Sequence, residues 1–441
     1  DRLSIESKIT THTADKISKF CFYESLMNSQ TRFTYTTVAQ IIEARTEKHS
    51  AVREQYAALT PHIDNLYSLY QALRGARDER GAIDFETQET RILFADNRKI
   101  DRIIPVTRNE AHKLIEECML AANTCAATLL EKQKIPALFR VHEGPSEDKL
   151  KNLRAFLGEL GLNLGGGGKP HPADYQTLLA STVGRTDARL IQTMLLRSMS
   201  QAVYQAENIG HFGLDYPSYA HFTSPIRRYP DLLVHRAIRY LVRNRPDVKQ
   251  VRCADGAAKL PQNKIYPYDD AAMDAFGVQC SSCERRADEA SRDVVAWLKC
   301  EYLLDHVEET FDGVINAVTS FGLFVELKDI YIEGLVHVTM LKRDYYHFDA
   351  VGQRLVGERT REVYRLGDSV QVRVVRVNLD DRKIDLELLK SYRTEKDTSP
   401  KEKIKPFSKN DTKTKANKAA KKSEQKKPSA TKSTAKKSKK K

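Results

Sequence analysis

At 441 residues, 41% of them hydrophobic, the chain can bury the cores of two or three domains; its mean hydropathy of −0.53 and the lack of any membrane-length apolar run argue for a soluble protein with no membrane partner. The net charge of +13 is unevenly placed: residues 391–441 hold 18 Lys and one Arg against five acids, so the body is close to neutral and the tail is basic. Seven scattered cysteines and a polar start, DRLSIESKIT, without an export signal, argue against a disulfide framework and point to the cytoplasm.

The first 60 residues are of mixed character, with a strand expected over residues 19–23 and a helix from near Thr36. Phe33 and Tyr35 are read as core residues. Residues 61–80 carry helical periodicity through Ile63, Leu66, Leu69, Tyr70 and Leu73, pass through a basic stretch, and stop at Gly81. Alternation in IDFETQETRILF predicts a strand, in which Phe85 is more simply a buried aromatic than a base contact. Over residues 109–131, Ala111, Leu114, Ile115, Cys118, Met119 and Ala122 mark the apolar face of a long helix, with Glu116, Glu117 and Asn123 on or near its other side. PALFRVHEGP, residues 136–145, reads as a short strand and turn carrying Arg140 and His142. A helix over residues 150–160 precedes Gly165-Gly166-Gly167-Gly168-Lys169-Pro170; a Walker loop needs Ser or Thr after the Lys, and Pro stands there, so a flexible linker is expected. The next helical segment, residues 187–204, carries Arg197 and Tyr204 toward the stretch that follows.

That stretch, residues 210–236, reads GHFGLDYPSYAHFTSPIRRYPDLLVHR. Ser224-Pro225 has the form of a helix N-cap followed by proline, which would free the amides of Ile226 and Arg227 for an anion. Arg227 and Arg228 add fixed charge, and guanidinium forks match phosphate oxygens two at a time. Two arbitrary arginines more often make structural ion pairs. Behind them Leu233, Ala237, Ile238 and Leu241 recur at helical spacing and would hold the turn rigidly.

Residues 244–270 read as a polar surface insertion, and residues 271–305 as a helix. The charges Glu284, Arg285, Arg286, Asp288, Glu289, Arg292 and Asp293 suit i,i+4 pairing on a solvated face. Cys280 and Cys283 have metal-like spacing, but no second pair completes a ligand set, and packing is the simpler reading. From Glu309 short alternating strands with glycines, closing on a hairpin at Asp380-Asp381, predict a five-stranded OB-type barrel. This text resembles the S1 RNA-binding domain, whose motif positions fall on Phe321, Phe324 and His337; bases can stack on such rings for about 1–3 kcal/mol each. Val314 and Val325 are read as core, while Lys328, Lys342 and Arg343 add attraction for a nucleic-acid backbone. The Lys-rich tail cannot bury enough apolar surface to fold and is expected to be disordered, drawn to RNA or ribosomes by counterion release.

The stretch at 210–236 also resembles the signature of the RNB family of processive 3′-to-5′ exoribonucleases. The resemblance continues through RGAIDFETQE, RNEAHKLIEECMLAANTCAA, PALFRVHEGP, LLRSMSQAVY and ERRADEASRDVVAWLKC. It implies an α+β chain: a mixed RNB catalytic domain over residues 1–305, incomplete at its N-terminus, an all-β S1 barrel over 309–390, and the tail over 391–441. It implies that Arg227 binds the scissile or a neighbouring phosphate, that Arg228 supports the RNA backbone, and that Glu117 lies near incoming RNA; Tyr219 and His221 are taken as further RNA-binding residues. Two-metal hydrolysis with Mg²⁺ is implied as well. The family's D-x5-D-x-D-D cluster is not found here, since Asp269-Asp270 and Asp380-Asp381 lack the preceding acids. The family places that cluster upstream, so no metal ligand is expected in this chain, which is expected to be inactive by itself. The resulting expectation is the C-terminal part of a monomeric exoribonuclease that releases 5′-mononucleotides from RNA, including structured RNA with a 3′ overhang. A non-catalytic single-stranded RNA-binding module is the other reading.

Overall fold

The computed structural model describes residues 2–11, 17–47, 49–85, 89–185, 187–341 and 344–392. Lys342, Arg343 and the tail from residue 393 lie outside these residues.

Strands β1 (Arg2–Thr11) and β2 (Ile17–Met27) form an antiparallel hairpin that runs well past the five residues expected. Helices α1 (Tyr35–Glu43), α2 (Ala51–Gln55) and α3 (Thr60–Arg80) follow. Thr34 starts α1 by accepting the Thr37 N–H at 3.1 Å, and Gly81 ends α3 in a left-handed conformation. Phe33 is half-buried against Tyr56, whereas Tyr35, expected in the core, is exposed and stacks on His112 at 3.9 Å. Phe85 lies ahead of the strand in which it was expected and packs, half-buried, against the cluster around Phe156 and Leu157. The strand itself, β3 (Glu89–Phe94), pairs with β4 (Ile100–Val106).

Helix α4 (Glu110–Lys132) is turned relative to the expected face: Ile115 is exposed, while Glu117 and Asn123 are buried beside Leu114, Leu120, Leu129 and Leu130. Polar groups can be buried there only because partners reach them, as the site shows. After α4 come β5 (Phe139–Val141), α5 (Glu147–Glu159), α6 (Pro172–Ser181), α7 (Ala188–Ser198) and β6 (Val203–Gln205), which pairs with β5. The glycine run is pinned, because Arg154 donates to the carbonyls of Gly165 and Gly167. Tyr204 sits on β6 opposite Arg140, while Arg197, expected under the arginine stretch, instead approaches the Asn316 carbonyl at 3.5 Å.

Helix α8 (Tyr229–Asn244) buries Leu233, Val234, Ala237, Ile238 and Leu241 against β2 and α4, each large side chain contributing about 1.5–3 kcal/mol. Residues 244–270 are more than a surface insertion. They supply β7 (Val251–Arg252), parallel to β2, then α9 (Gln262–Ile265) and Tyr266, which is buried with its hydroxyl donating to the Pro136 carbonyl at 2.7 Å. Helix α10 (Asp270–Leu304) follows, and no helix among the described residues is long and apolar enough to cross a membrane. The expected charge ladder on α10 does not form: Glu284 pairs with Arg140 and Asp293 with Arg382, and among the described residues no ion pair joins Arg285, Arg286 or Arg292 to Asp288 or Glu289.

Strands β8 (Thr310–Thr319), β9 (Gly322–Leu327) and β10 (Ile332–His337) lead to a small sheet of β11 (Tyr346–Asp349), β12 (Arg354–Gly357) and β13 (Val363–Arg365), and then to β14 (Ser369–Asn378) and β15 (Lys383–Tyr392). The order β10-β15-β14-β8-β9 closes a five-stranded barrel, as the strand spacing predicts. Its core holds Val325, but Ile315 takes the inward place expected for Val314, which is half-buried. Ile103 of β4 and Cys300 and Leu303 of α10 belong to the same apolar cluster, so the barrel is seated on its predecessor by a continuous core. Leu303→Ala is therefore expected to cost about 2–5 kcal/mol in urea unfolding; a loss below about 1 kcal/mol would contradict a shared core.

Candidate functional site

The helix expected to be capped by Ser224 and to begin at Pro225 begins four residues later. Arg228 is the residue before α8, and Pro230 occupies its first turn. Residues 224–228 form a turn in which the Ser224 carbonyl accepts the amides of Arg227 and Arg228 at 3.3 and 3.0 Å. The anion cradle expected from the amides of Ile226 and Arg227 is thus not available as a pair. The cause is Asp231, which is fully buried in the first turn of α8. Its Oδ1 accepts the Ser224 N–H at 2.7 Å and the Arg228 Nη2 at 2.8 Å, tying both ends of the turn to one carboxylate. Among the described residues its Oδ2 and the Arg228 Nε have no hydrogen-bond partner.

The two arginines therefore differ. Arg228 is committed to Asp231, with 20% of its side chain exposed. Arg227 is exposed and, among the described residues, has no ion-pair partner; its neighbour Ile226 is 99% exposed. A lone guanidinium on a turn held by a buried carboxylate is preorganised to take an anion.

Behind the turn, buried polar groups are matched. Tyr219 is buried and accepts the Asn123 Nδ2 at 2.9 Å, while Asn123 Oδ1 accepts the Phe222 N–H at 2.9 Å. Burial pushes the Tyr219 phenol up to about 12. Tyr219, expected to touch RNA, is thus a strut beneath the turn. Glu117 is also buried, 2.9 Å from Arg77 Nη1, which reaches Glu116 too, while Arg77 Nη2 lies 3.5 Å from Asp84. Burial raises the Glu117 carboxyl above its ordinary value, against the pull of Arg77. In this arrangement Glu117 faces protein, and Glu116, bonded to Arg108, is the more open of the two.

His221 Nδ1 lies 2.8 Å from the Tyr204 hydroxyl; burial, then the charges of Arg228 and Arg140, hold the imidazole down at about 2. His211 is held at about 3 by burial and His142. His142, on the short strand and turn read from residues 136–145, is buried, with Nε2 on the Ser200 carbonyl and Nδ1 accepting the Gly213 N–H.

On the barrel, Phe324 and Leu335 are cross-strand partners and His337 follows two residues on, so Phe324 and His337 share one face of β9–β10. Phe321, 46% exposed, packs edge-on against Phe324 at 5.9 Å. The sequence placed these three rings together, and the structure brings them together, as a patch of their own. Among the described residues no group of three or more His, Cys, Asp and Glu is arranged to hold a metal ion, and Cys280 and Cys283 are half-buried on α10. The described side chains therefore do not fit a metal centre. Sequence reasoning missed Asp231, Asn123, Tyr204's hydroxyl and Arg77. An acid three residues after the arginine pair was the one available signal for Asp231.

Comparison with known proteins bears on what this site belongs to. The profile described as RNB domain matches residues 1–244, more than half of the chain, and that of the S1 RNA binding domain matches residues 305–389. The chain belongs to the RNB family. Among RNB relatives, the ribonuclease R of Vibrio cholerae is 54% identical over 393 residues, covering 89% of this chain and 46% of that protein. The ribonuclease R of Escherichia coli K12 is 51% identical, over 89% of this chain and 47% of that protein. The chain thus spans about half the length of the curated relatives it matches. Its fold is similar to that of Mycoplasma genitalium RNase R in complex with ribose methylated single-stranded RNA, with a TM-score of 0.77 and 24% identity over 88% of this chain and 58% of that one.

Three histidines of this RNB chain, His142 buried and His211 and His221 half-buried, carry a pH dependence. His142, His211 and His221 all have imidazoles held below the ordinary value, so below about pH 6.5 the unfolded chain binds protons that the folded chain does not. Stability is present above that pH and falls on acidification, by about 1 kcal/mol each for His211 and His221 at pH 5.5, with His142 acting in the same direction. Urea midpoints should drop between pH 7.5 and 5.5, and drop less in His211→Gln; equal midpoints in the wild type would contradict the assignment.

Proposed function

We propose that the chain serves 3′-to-5′ exoribonucleolytic hydrolysis of RNA to 5′-mononucleotides, structured RNA with a 3′ overhang included, with Arg227 binding the scissile or an adjacent phosphate. The observation that carries this reading is the inequality of the two arginines: Asp231 consumes Arg228 and leaves Arg227 exposed on a fixed turn, without an ion-pair partner among the described residues, in a chain of the RNB family. A planar fork held in place stabilises charge on a phosphate without having to reorganise as the reaction proceeds. Phe321, Phe324 and His337 offer a stacking face for unpaired bases, consistent with the S1 match, and Lys342, Arg343 and the basic tail supply sequence-independent attraction. The complex of the Mycoplasma relative with single-stranded RNA supports RNA as the ligand. Domains over residues 1–305 and 309–390 with a tail over 391–441, action as a monomer in the cytoplasm, and contact of the tail with ribosomes complete the reading.

Mg²⁺ belongs to it as well. Its chemistry would be activation of water and neutralisation of the leaving oxygen, and no step is assigned to it among the described side chains, which hold no fitting ligand group. That same observation favours a second reading, in which the 441 residues hold RNA without cutting it.

Both readings meet one experiment. Labelled poly(A) is incubated with Mg²⁺ and the chain, and with a form carrying the Asp cluster that the family places upstream. The chain alone is expected to bind and not to release mononucleotides. In the form that cleaves, Arg227→Lys should slow single-turnover cleavage more than a hundredfold, equivalent to about 3 kcal/mol, with RNA affinity largely kept. Arg228→Lys should be milder in cleavage and show its cost in stability. A near-normal rate in Arg227→Lys, or a defect wholly in affinity, would make Arg227 a docking residue; no cleavage by either form leaves the RNA-holding module.

A further inference from the structure

A series of contacts links helix α10 to the residues beside the arginine turn. Gly277, Ser281 and Glu284 lie on one face of α10 against β6. Gly277 permits the approach, since a Cβ there would stand 2.8 Å from the Tyr204 carbonyl oxygen. Ser281 Oγ accepts the Tyr204 N–H at 2.9 Å. One turn further, Glu284 Oε2 takes the Arg140 Nη1 at 2.6 Å, and the Arg140 guanidinium covers the Tyr204 ring at 4.5 Å. Tyr204 is buried, and its hydroxyl meets His221 Nδ1 at 2.8 Å.

The direction of that last bond follows from accounting. Among the described residues the Tyr204 hydroxyl has no other acceptor, and a buried O–H finds one. Tyr204 therefore donates, Nδ1 accepts, and the single proton of a neutral imidazole is left on Nε2. Burial opposes protonation of the ring first, and the charges of Arg228, Arg140 and Arg227 add to it, with His211, Tyr219 and Tyr204 as the other groups facing the ring. Among the described residues no protein acceptor meets Nε2, and the ring is only half-buried, in reach of the field of Arg227.

We propose that Glu284, Arg140 and Tyr204 are positioning residues that fix His221 as an uncharged Nε2–H donor for a phosphodiester oxygen of RNA beside Arg227. The relay rests on the geometry alone; its RNA step rests on the function proposed above. An uncharged donor keeps its hydrogen bond from pH 5.5 to 8, where an ordinary surface histidine would gain and lose its charge.

The test uses the 441-residue chain and nitrogen-detected imidazole NMR, with the His221 signals assigned by their loss in His221→Gln. The wild type should show the Nε2–H tautomer without titration between pH 5.5 and 8. Tyr204→Phe should give mixed tautomers, and Glu284→Gln a smaller shift the same way. Poly(A) should move the wild-type Nε2–H signal. In filter binding, His221→Gln, whose amide nitrogen falls near Nε2, should keep affinity within about threefold. His221→Asn, whose amide falls near Nδ1, should lose about tenfold. An Nδ1–H tautomer, titration near pH 6.5, or a wild-type tautomer retained in both Tyr204→Phe and Glu284→Gln would overturn the relay. Poly(A) that binds but leaves the signal unmoved, with equal affinity in both His221 variants, would overturn the RNA contact alone. No binding of poly(A) by the wild type would instead remove the proposed function and the contact with it, while the tautomer would still decide the relay.

Discussion

The geometry of the site depends on one carboxylate removed from water. Asp231 is fully buried, and a buried charge without partners would cost several kcal/mol, so the fold tolerates it only while Ser224 and Arg228 are both in place. That requirement leaves the turn at residues 224–228 a single arrangement. The apolar face of α8 anchors it from behind, and the charge that would have been shared by two arginines is presented outward by Arg227 alone. A surface ion pair in the same place would be worth about 0–1 kcal/mol and would not fix a direction.

The same rule organises what lies beneath. Glu117 is buried against Arg77 and Asn123 between Tyr219 and the Phe222 amide, and the half-buried His221 meets Tyr204. Glu117 and Asn123 stand where a long helix would ordinarily put leucine, and all three groups have a partner from a different part of the chain. The barrel works otherwise. Its aromatic face costs little to expose, needs no buried charge, and is held by the β9–β10 register. A rigid point of charge and an adaptable stacking surface are complementary ways of holding a polyanion with unpaired bases.

Much of this was legible in the sequence. The 3.6-residue repeat of Leu233, Ala237, Ile238 and Leu241 found the buried face of α8, and the strand spacing after Glu309 found the barrel and its exposed rings. What failed shares a cause. Ile115 was placed inside and Glu117 and Asn123 near the outside because apolar periodicity cannot see partners supplied 40 or 96 residues away in the chain. Ser224-Pro225 looked like a helix start because its local pattern is one, yet Asp231 reaches back across the turn and moves the start to Tyr229. The i,i+4 ladder on α10 gave way for the same reason, as Arg140 and Arg382 from elsewhere in the chain took two of its acids.

Asp231 and Arg228 act as a unit from which Arg227 is excluded, and a double-mutant cycle in urea unfolding tests this most directly. Asp231→Ala and Arg228→Ala should each cost about 2–4 kcal/mol, reduced from a fully buried pair because Arg228 keeps part of its side chain in water, with a coupling of at least about 1 kcal/mol between them. Arg227→Ala should change stability by less than about 0.5 kcal/mol and couple to neither. Additive losses for Asp231 and Arg228, or a coupling of Asp231 to Arg227 as large as that to Arg228, would contradict the account.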